Sequence, residues 1–149
     1  MWDYPRPPVC VEDSRCVRVL YKGTLIAEST ACLRVLETAS PPTFYLPPDS
    51  IVAETLELDT GSSTCEWKGQ AVYWKLPRPK HPLRQVAWSY PSPRTSFARL
   101  ANHVAFYPGK LECYVDEERV RPQPGGFYGG WITSEIVGPF KGDPGTLGW

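Results

Sequence analysis

Seventeen prolines and twelve glycines are spread along 149 residues, and they limit what such a chain can fold into. Proline removes a backbone donor and clashes inside a helix, and glycine costs about 1 kcal/mol there relative to alanine. A bundle of long helices is therefore excluded, and short strands joined by frequent turns are expected. Hydrophobic residues at 42% and charged residues at 21% are globular values, so wholesale disorder is excluded as well. Sixteen basic residues balance sixteen acidic ones, which removes the broad positive footprint of a general nucleic-acid binder. The basic residues Arg78, Lys80, Arg84, Arg94 and Arg99 read as solvated, and nucleic acid is not an expected partner.

No stretch approaches the roughly 18 to 20 apolar residues that span a bilayer, so no membrane partner is expected. Residues 1–8 carry no apolar run of the kind a secretory signal needs. Cysteines stand at 10, 16, 32, 65 and 113, an odd number that would leave one thiol unpaired in a secreted chain. Reduced thiols in a soluble, cytoplasmic protein are the simpler expectation.

Residues 1–15 open with clustered prolines and no periodic pattern, and read as an N-terminal arm. From 16 to 120 the pattern is that of one domain. Alternating runs at 16–21 and 24–27 flank Lys22-Gly23, the signature of a hairpin. Further strands are expected at 32–37, 43–46, 51–58, 64–67, 71–76, 85–90 and 111–115. One α-helix is expected after Ser92-Pro93, because Phe97, Leu100, Ala101 and Val104 recur at helical spacing before Pro108-Gly109. From 121 to 149 the composition changes. Eight of the twelve glycines lie between Gly125 and Gly148, among Phe127, Tyr128, Trp131, Phe140 and Trp149. Aromatics favour burial, so this extension is expected to pack on the domain or on a partner.

Zinc sites draw on closely spaced cysteine pairs, and no Cys-x-x-Cys occurs here, so no metal is expected. Neither His81 nor His103 has a nucleophile beside it in sequence, and the phosphate-loop, dinucleotide and nucleophile-elbow motifs are all missing. Cys65 is followed three residues on by Lys68, which could activate the thiol if a turn at Gly69 brings both to one cavity. An inert thiol is the plainer alternative. The aromatics Tyr45, Trp67, Tyr73, Trp74, Trp88 and Tyr90 lie on or beside expected strands. By alternation Trp88 and Tyr90 share a face, whereas Tyr73 and Trp74 point apart. Such a face is either core or the wall of a ligand pocket.

The order Val17-Arg18-Val19, Ala31 to Glu37, Tyr45-Leu46-Pro47, Thr64-Cys65, Lys68-Gly69, Tyr73-Trp74, Ala87 to Pro91 and His103 to Tyr107 resembles the domain-of-unknown-function 427 family. The resemblance covers residues 16–120, and the tail from Gly125 resembles an extension of cyanobacterial members. It implies a β-tent-like fold: mainly β, two antiparallel sheets meeting at an angle with one α-helix at the side. Some domains of that fold hold zinc through paired cysteines; this chain resembles a zinc-free branch. Other relatives bind ligands in a tryptophan cage or reduce oxidised methionine, and either function would transfer only by fold analogy. A nucleotidyltransferase-like label also attaches to the family. That chemistry needs paired carboxylates for magnesium, and Gly61-Ser62-Ser63 is followed by Glu66 alone.

The resemblance singles out Arg34, Glu37, Tyr45, Cys65, Lys68, Tyr73, Trp88 and Tyr90 as ligand-binding candidates. Polar residues inside strands are not needed for packing, and burying charge is costly unless it is paired. Arg34 and Lys68 meeting an anionic group is the sharper expectation, with an Arg34–Glu37 structural pair as the alternative. The leading reading is a domain that binds a small metabolite or cofactor, its identity unknown, in an aromatic and polar pocket. The alternatives are a small enzyme using Cys65, Lys68 or Glu37, and an interaction or homodimer module acting through the aromatic tail.

Overall fold

Alternation of apolar and polar side chains is realised as strands throughout. The computed structural model describes residues 9–37, 41–65, 68–77, 82–123 and 129–136. The strands are β1 (Val9–Asp13), β2 (Val17–Tyr21), β3 (Thr24–Ser29), β4 (Cys32–Leu36), β5 (Thr43–Tyr45), β6 (Glu57–Cys65) and β7 (Gly69–Leu76). They continue as β8 (Leu83–Ser89), β9 (Val104–Phe106), β10 (Glu112–Val115), β11 (Glu118–Arg119), β12 (Arg121–Pro122) and β13 (Trp131–Ile132). The fold is mainly β, in several antiparallel sheets within one small domain.

The β2–β3 hairpin forms where Lys22-Gly23 stands, with φ of 47° and 82° at the two turn residues. Positive φ at both central positions makes a turn whose twist matches its strands. β11, β10, β2 and β3 form one four-stranded sheet, and β6, β7, β8 and β9 another. A third sheet has the order β1-β4-β5, and β12 pairs with β13 as a ribbon. Leu46 and Val104 exchange both backbone hydrogen bonds at 2.8 Å, which links β5 to β9. The order β1-β4-β5-β9-β8-β7-β6 is thereby hydrogen-bonded from end to end.

Three expectations need correction. The α-helix is a six-residue 3-10 segment, Thr95–Leu100, broken at Phe97, whose φ of −120° is not helical. Asn102 follows at a φ of 60°, and Val104, placed by spacing on the helix, is instead the start of β9. Its pairing with Leu46 satisfies backbone groups that a continued helix would have kept to itself. The strand expected at 51–58 begins only at Glu57; Ile51 makes an isolated bridge to Ala27, and Glu54 turns the chain at a φ of 65°. Val9–Asp13, read as part of an arm, pairs with β4 over five residues. Residues 1–8 of that arm, together with Glu66, Trp67, His81, Phe127, Tyr128, Phe140 and Trp149, lie outside the described residues.

Two apolar clusters lie on opposite faces of the linked strands. The first gathers Val17, Val19, Ile26, Phe44, Leu46, Val86, Phe106, Cys113 and Trp131, with Trp74 packed against it. The second gathers Leu33, Val35, Tyr45, Ala71, Trp88, Tyr90, Phe97 and Leu100, with Tyr73, Cys65 and Tyr107 at its edge. Tyr73 and Trp74 thus go to opposite clusters, and Trp88 and Tyr90 to the same one, as a period of two requires.

Candidate functional site

A cavity of about 300 Å³ opens on the face that carries the second cluster. Neighbouring strands supply its wall because register puts their side chains side by side. Tyr73 of β7 stands opposite Trp88 of β8, and Ser63 of β6 opposite Ala71 of β7. Tyr45 of β5 stands opposite Leu33 of β4, and Glu37 follows Leu33 and Val35 on the same parity. Seven of the eight sequence candidates line this cavity: Glu37, Tyr45, Cys65, Lys68, Tyr73, Trp88 and Tyr90.

Arg34 does not. One residue from Leu33, it shares the opposite face with Cys32 and pairs in register with Val11 and Phe44. Its guanidinium meets Asp13, with Nε 3.2 Å from Oδ2, and Glu135, with Nη1 3.8 Å from Oε1. The Asp13 contact lacks hydrogen-bond geometry, so Nε is left without a hydrogen bond. Arg15 shares both carboxylates, at 2.8 Å to Asp13 and 3.0 Å to Glu135. Burial works to raise the pKa of Asp13, but the Arg15 hydrogen bonds and the charges of Arg15 and Arg34 together hold it below the usual value. Arg34 is thus a structural ion-pair partner, with Asp13 and Glu135 in place of the Glu37 named as the alternative.

The aromatic wall is tightly interlocked. Trp88 and Tyr107 have centroids 4.6 Å apart, and Tyr45 and Tyr90 6.3 Å apart. Ser63 Oγ and Tyr73 Oη are 2.8 Å apart. Burial pushes the Tyr45 hydroxyl well above its ordinary pKa and raises Tyr90 strongly; burial and neighbouring Tyr73 push Tyr107 up to about 12. These three phenols therefore stay protonated at neutral pH. They can donate and accept hydrogen bonds but do not serve as phenolate bases.

Lys68 is 8% exposed. Its side chain has no hydrogen bond or ion pair among the described residues; its ammonium lies 5.9 Å from the centroid of the Phe97 ring. Its backbone is pinned, because Lys68 O accepts the Arg94 N–H at 3.0 Å. Cys65 pairs with Gly69, and Cys65 and Lys68 both line the cavity. Glu37 and Thr43 lie on the wall as well.

Sequence reasoning missed the part of the wall contributed from further along the chain. Gln123, Gly129 and Gly130 line the cavity, and the Gly130 N–H donates to Gln123 Oε1 at 3.1 Å. Gly129 sits so close to the Trp88 indole that any Cβ would overlap the ring. Trp131 anchors this stretch: it is fully buried, stacks on Phe44 at 5.0 Å and donates its indole N–H to Phe106 O at 3.0 Å. The signal that could have found it is a Gly-Gly pair directly before a tryptophan, which combines close backbone approach with an apolar anchor.

His103 uses Nδ1 on Ala101 O at 3.2 Å. Among the described residues no group of three or more metal-ligating side chains is found, and no helix is long and apolar enough to cross a membrane.

Strands, register and cavity together define a small antiparallel β domain carrying an aromatic, polar-lined hollow on one face. Residues 9–117 match the family described as Domain of unknown function (DUF427), and the chain belongs to that family. No curated protein matches the chain.

Proposed function

We propose that this protein binds a small organic molecule, a metabolite or cofactor, in the cavity lined by β5, β6, β7 and β8. The observation that carries the reading is convergence. Seven side chains singled out by the sequence, spread from Glu37 to Tyr90, meet at one hollow of about 300 Å³. That volume is at the small end of the range for ligand pockets, and five aromatic side chains set among polar groups suit one. The five free cysteines fit a reducing, cytoplasmic setting. A binding domain is favoured over an interaction module because Trp131 is fully buried within its own chain. A transforming enzyme would use the Cys65 thiol, which lines the same cavity.

Native and denaturing mass spectra of protein purified from its host test the reading. Extra mass in the native spectrum alone is expected. Extra mass that survives denaturation would favour the enzyme with an adduct on Cys65. Bare masses in both, with no ligand raising the melting temperature in a metabolite panel, would overturn it.

A further inference from the structure

We propose that the cavity takes a flat organic anion, a carboxylate on an aromatic or conjugated frame, whose charge is held by Lys68. This deepens the ligand-binding reading above and rests on it. A lysine more than nine-tenths buried is ordinarily paired, since enclosing an ammonium without a counter-charge is costly. Two partly buried arginines of this fold follow that rule. Arg15 and Arg34 meet Asp13 and Glu135. Lys68 departs from it, with no acceptor among the described residues and an aromatic ring as its recorded contact.

The lysine is also preorganised. Its carbonyl is bonded to Arg94 N–H, and Gly69 beside it holds a φ of 110° against the Ser92–Arg94 backbone. A charge fixed in place loses less freedom on meeting its partner than a free surface lysine does. Lys68 lines the hollow. The rest of the wall selects the frame. The Trp88 and Tyr107 rings, 4.6 Å apart at 47°, join Tyr45, Tyr73 and Tyr90 in presenting aromatic surface to a planar guest. A hollow of about 300 Å³ equals about ten waters' share of liquid volume, room for one or two rings. Glu37 makes no ion pair with Lys68 among the described residues, which leaves it to accept from a hydroxyl or amine substituent of the guest.

Three single-ring probes that differ in charge decide the matter: 4-hydroxybenzoate, 4-hydroxybenzamide and 4-hydroxybenzylamine, titrated calorimetrically into the full chain. The acid is expected to bind about tenfold or more tighter than the amide, a difference of about 1.4 kcal/mol. Lys68→Met should abolish that preference, and Lys68→Arg should keep part of it. Equal binding of acid and amide, tightest binding of the amine, or an acid preference that survives in Lys68→Met would each overturn the proposal. If Lys68→Met fails to fold, the wild-type comparison of the three probes decides alone. Should none bind at millimolar concentration, the anion class falls, while the cavity reading is judged separately by the native mass spectrum.

Discussion

The indole N–H of Trp88 donates to the hydroxyl of Tyr45 at 3.3 Å, and the two rings meet edge to face with centroids 6.2 Å apart. Both side chains are buried, and the bond ties β8 to β5 across β9. Tyr45→Phe leaves the indole without its acceptor. A loss of about 1–3 kcal/mol is expected, read from denaturant unfolding. An unchanged midpoint would mean that the N–H finds another partner.

Arg34→Met should separate stability from binding. Removing the guanidinium leaves Asp13 with Arg15 as its remaining recorded cation, and a lower melting temperature is expected. Affinity for whatever ligand the cavity holds should change little, because Arg34 lies on the other face of β4. A variant that keeps its stability but loses the ligand would reverse this assignment.

At Gly129 the smallest addition is informative. The methyl of Gly129→Ala would overlap the Trp88 ring, and overpacking of this kind costs about 1–3 kcal/mol. Both a lowered melting temperature and altered tryptophan fluorescence are expected. Normal values for both would show that the backbone at 129 is free to retreat.

Acid should act in part through Asp59. Hydrogen bonds from the Arg84 guanidinium, helped by the N–H groups of Gln85 and Thr60, hold its carboxyl down at about 2, below the ordinary 3.8. A group depressed in the fold stabilises it fully above the unfolded value and loses that contribution as pH falls through the folded one. The window is therefore about pH 4 down to 2. Melting temperatures across it should fall more steeply for wild type than for Asp59→Asn; parallel curves would remove Asp59 from the account.

Alkali acts with the opposite sign. The Tyr107 phenol is raised from 10 to about 12, with Tyr45 and Tyr90 raised as well, chiefly by burial. Their stabilisation is complete below pH 10 and drains away as the pH climbs toward 12. Phenolate absorbance should show these tyrosines ionising together with loss of structure. Smooth titration of all eight tyrosines in a folded protein would contradict their burial.

Period two makes much of the site legible. Alternation alone puts Trp88 and Tyr90 on one face and sends Tyr73 and Trp74 to opposite ones. The same rule, applied to Arg34 and Glu37, separates them, since three residues apart in a strand means opposite faces. The family resemblance draws them together instead. The helical reading fails because Phe97, Leu100, Ala101 and Val104 satisfy a 3.6-residue period by coincidence. Their spacing spans a short 3-10 segment, the reversal at Asn102 and the first residue of a strand. Long-range pairing of Val104 with Leu46 decides the outcome, and no local pattern reports a partner so far away in sequence. Gln123 and Gly129 are hidden for a related reason, being brought to the cavity by the burial of Trp131 rather than by a strand period of their own.

The match to the family ends at residue 117, whereas Gln123, Gly129 and Gly130 lie beyond it. The floor of the hollow therefore lies within the matched residues and part of its wall beyond them. That later stretch is tied to the matched residues by the Trp131 indole on Phe106 O and by Glu135 to Arg15. Under the proposed binding function, changes at Gln123 would alter one side of the cavity from outside the residues that the family shares.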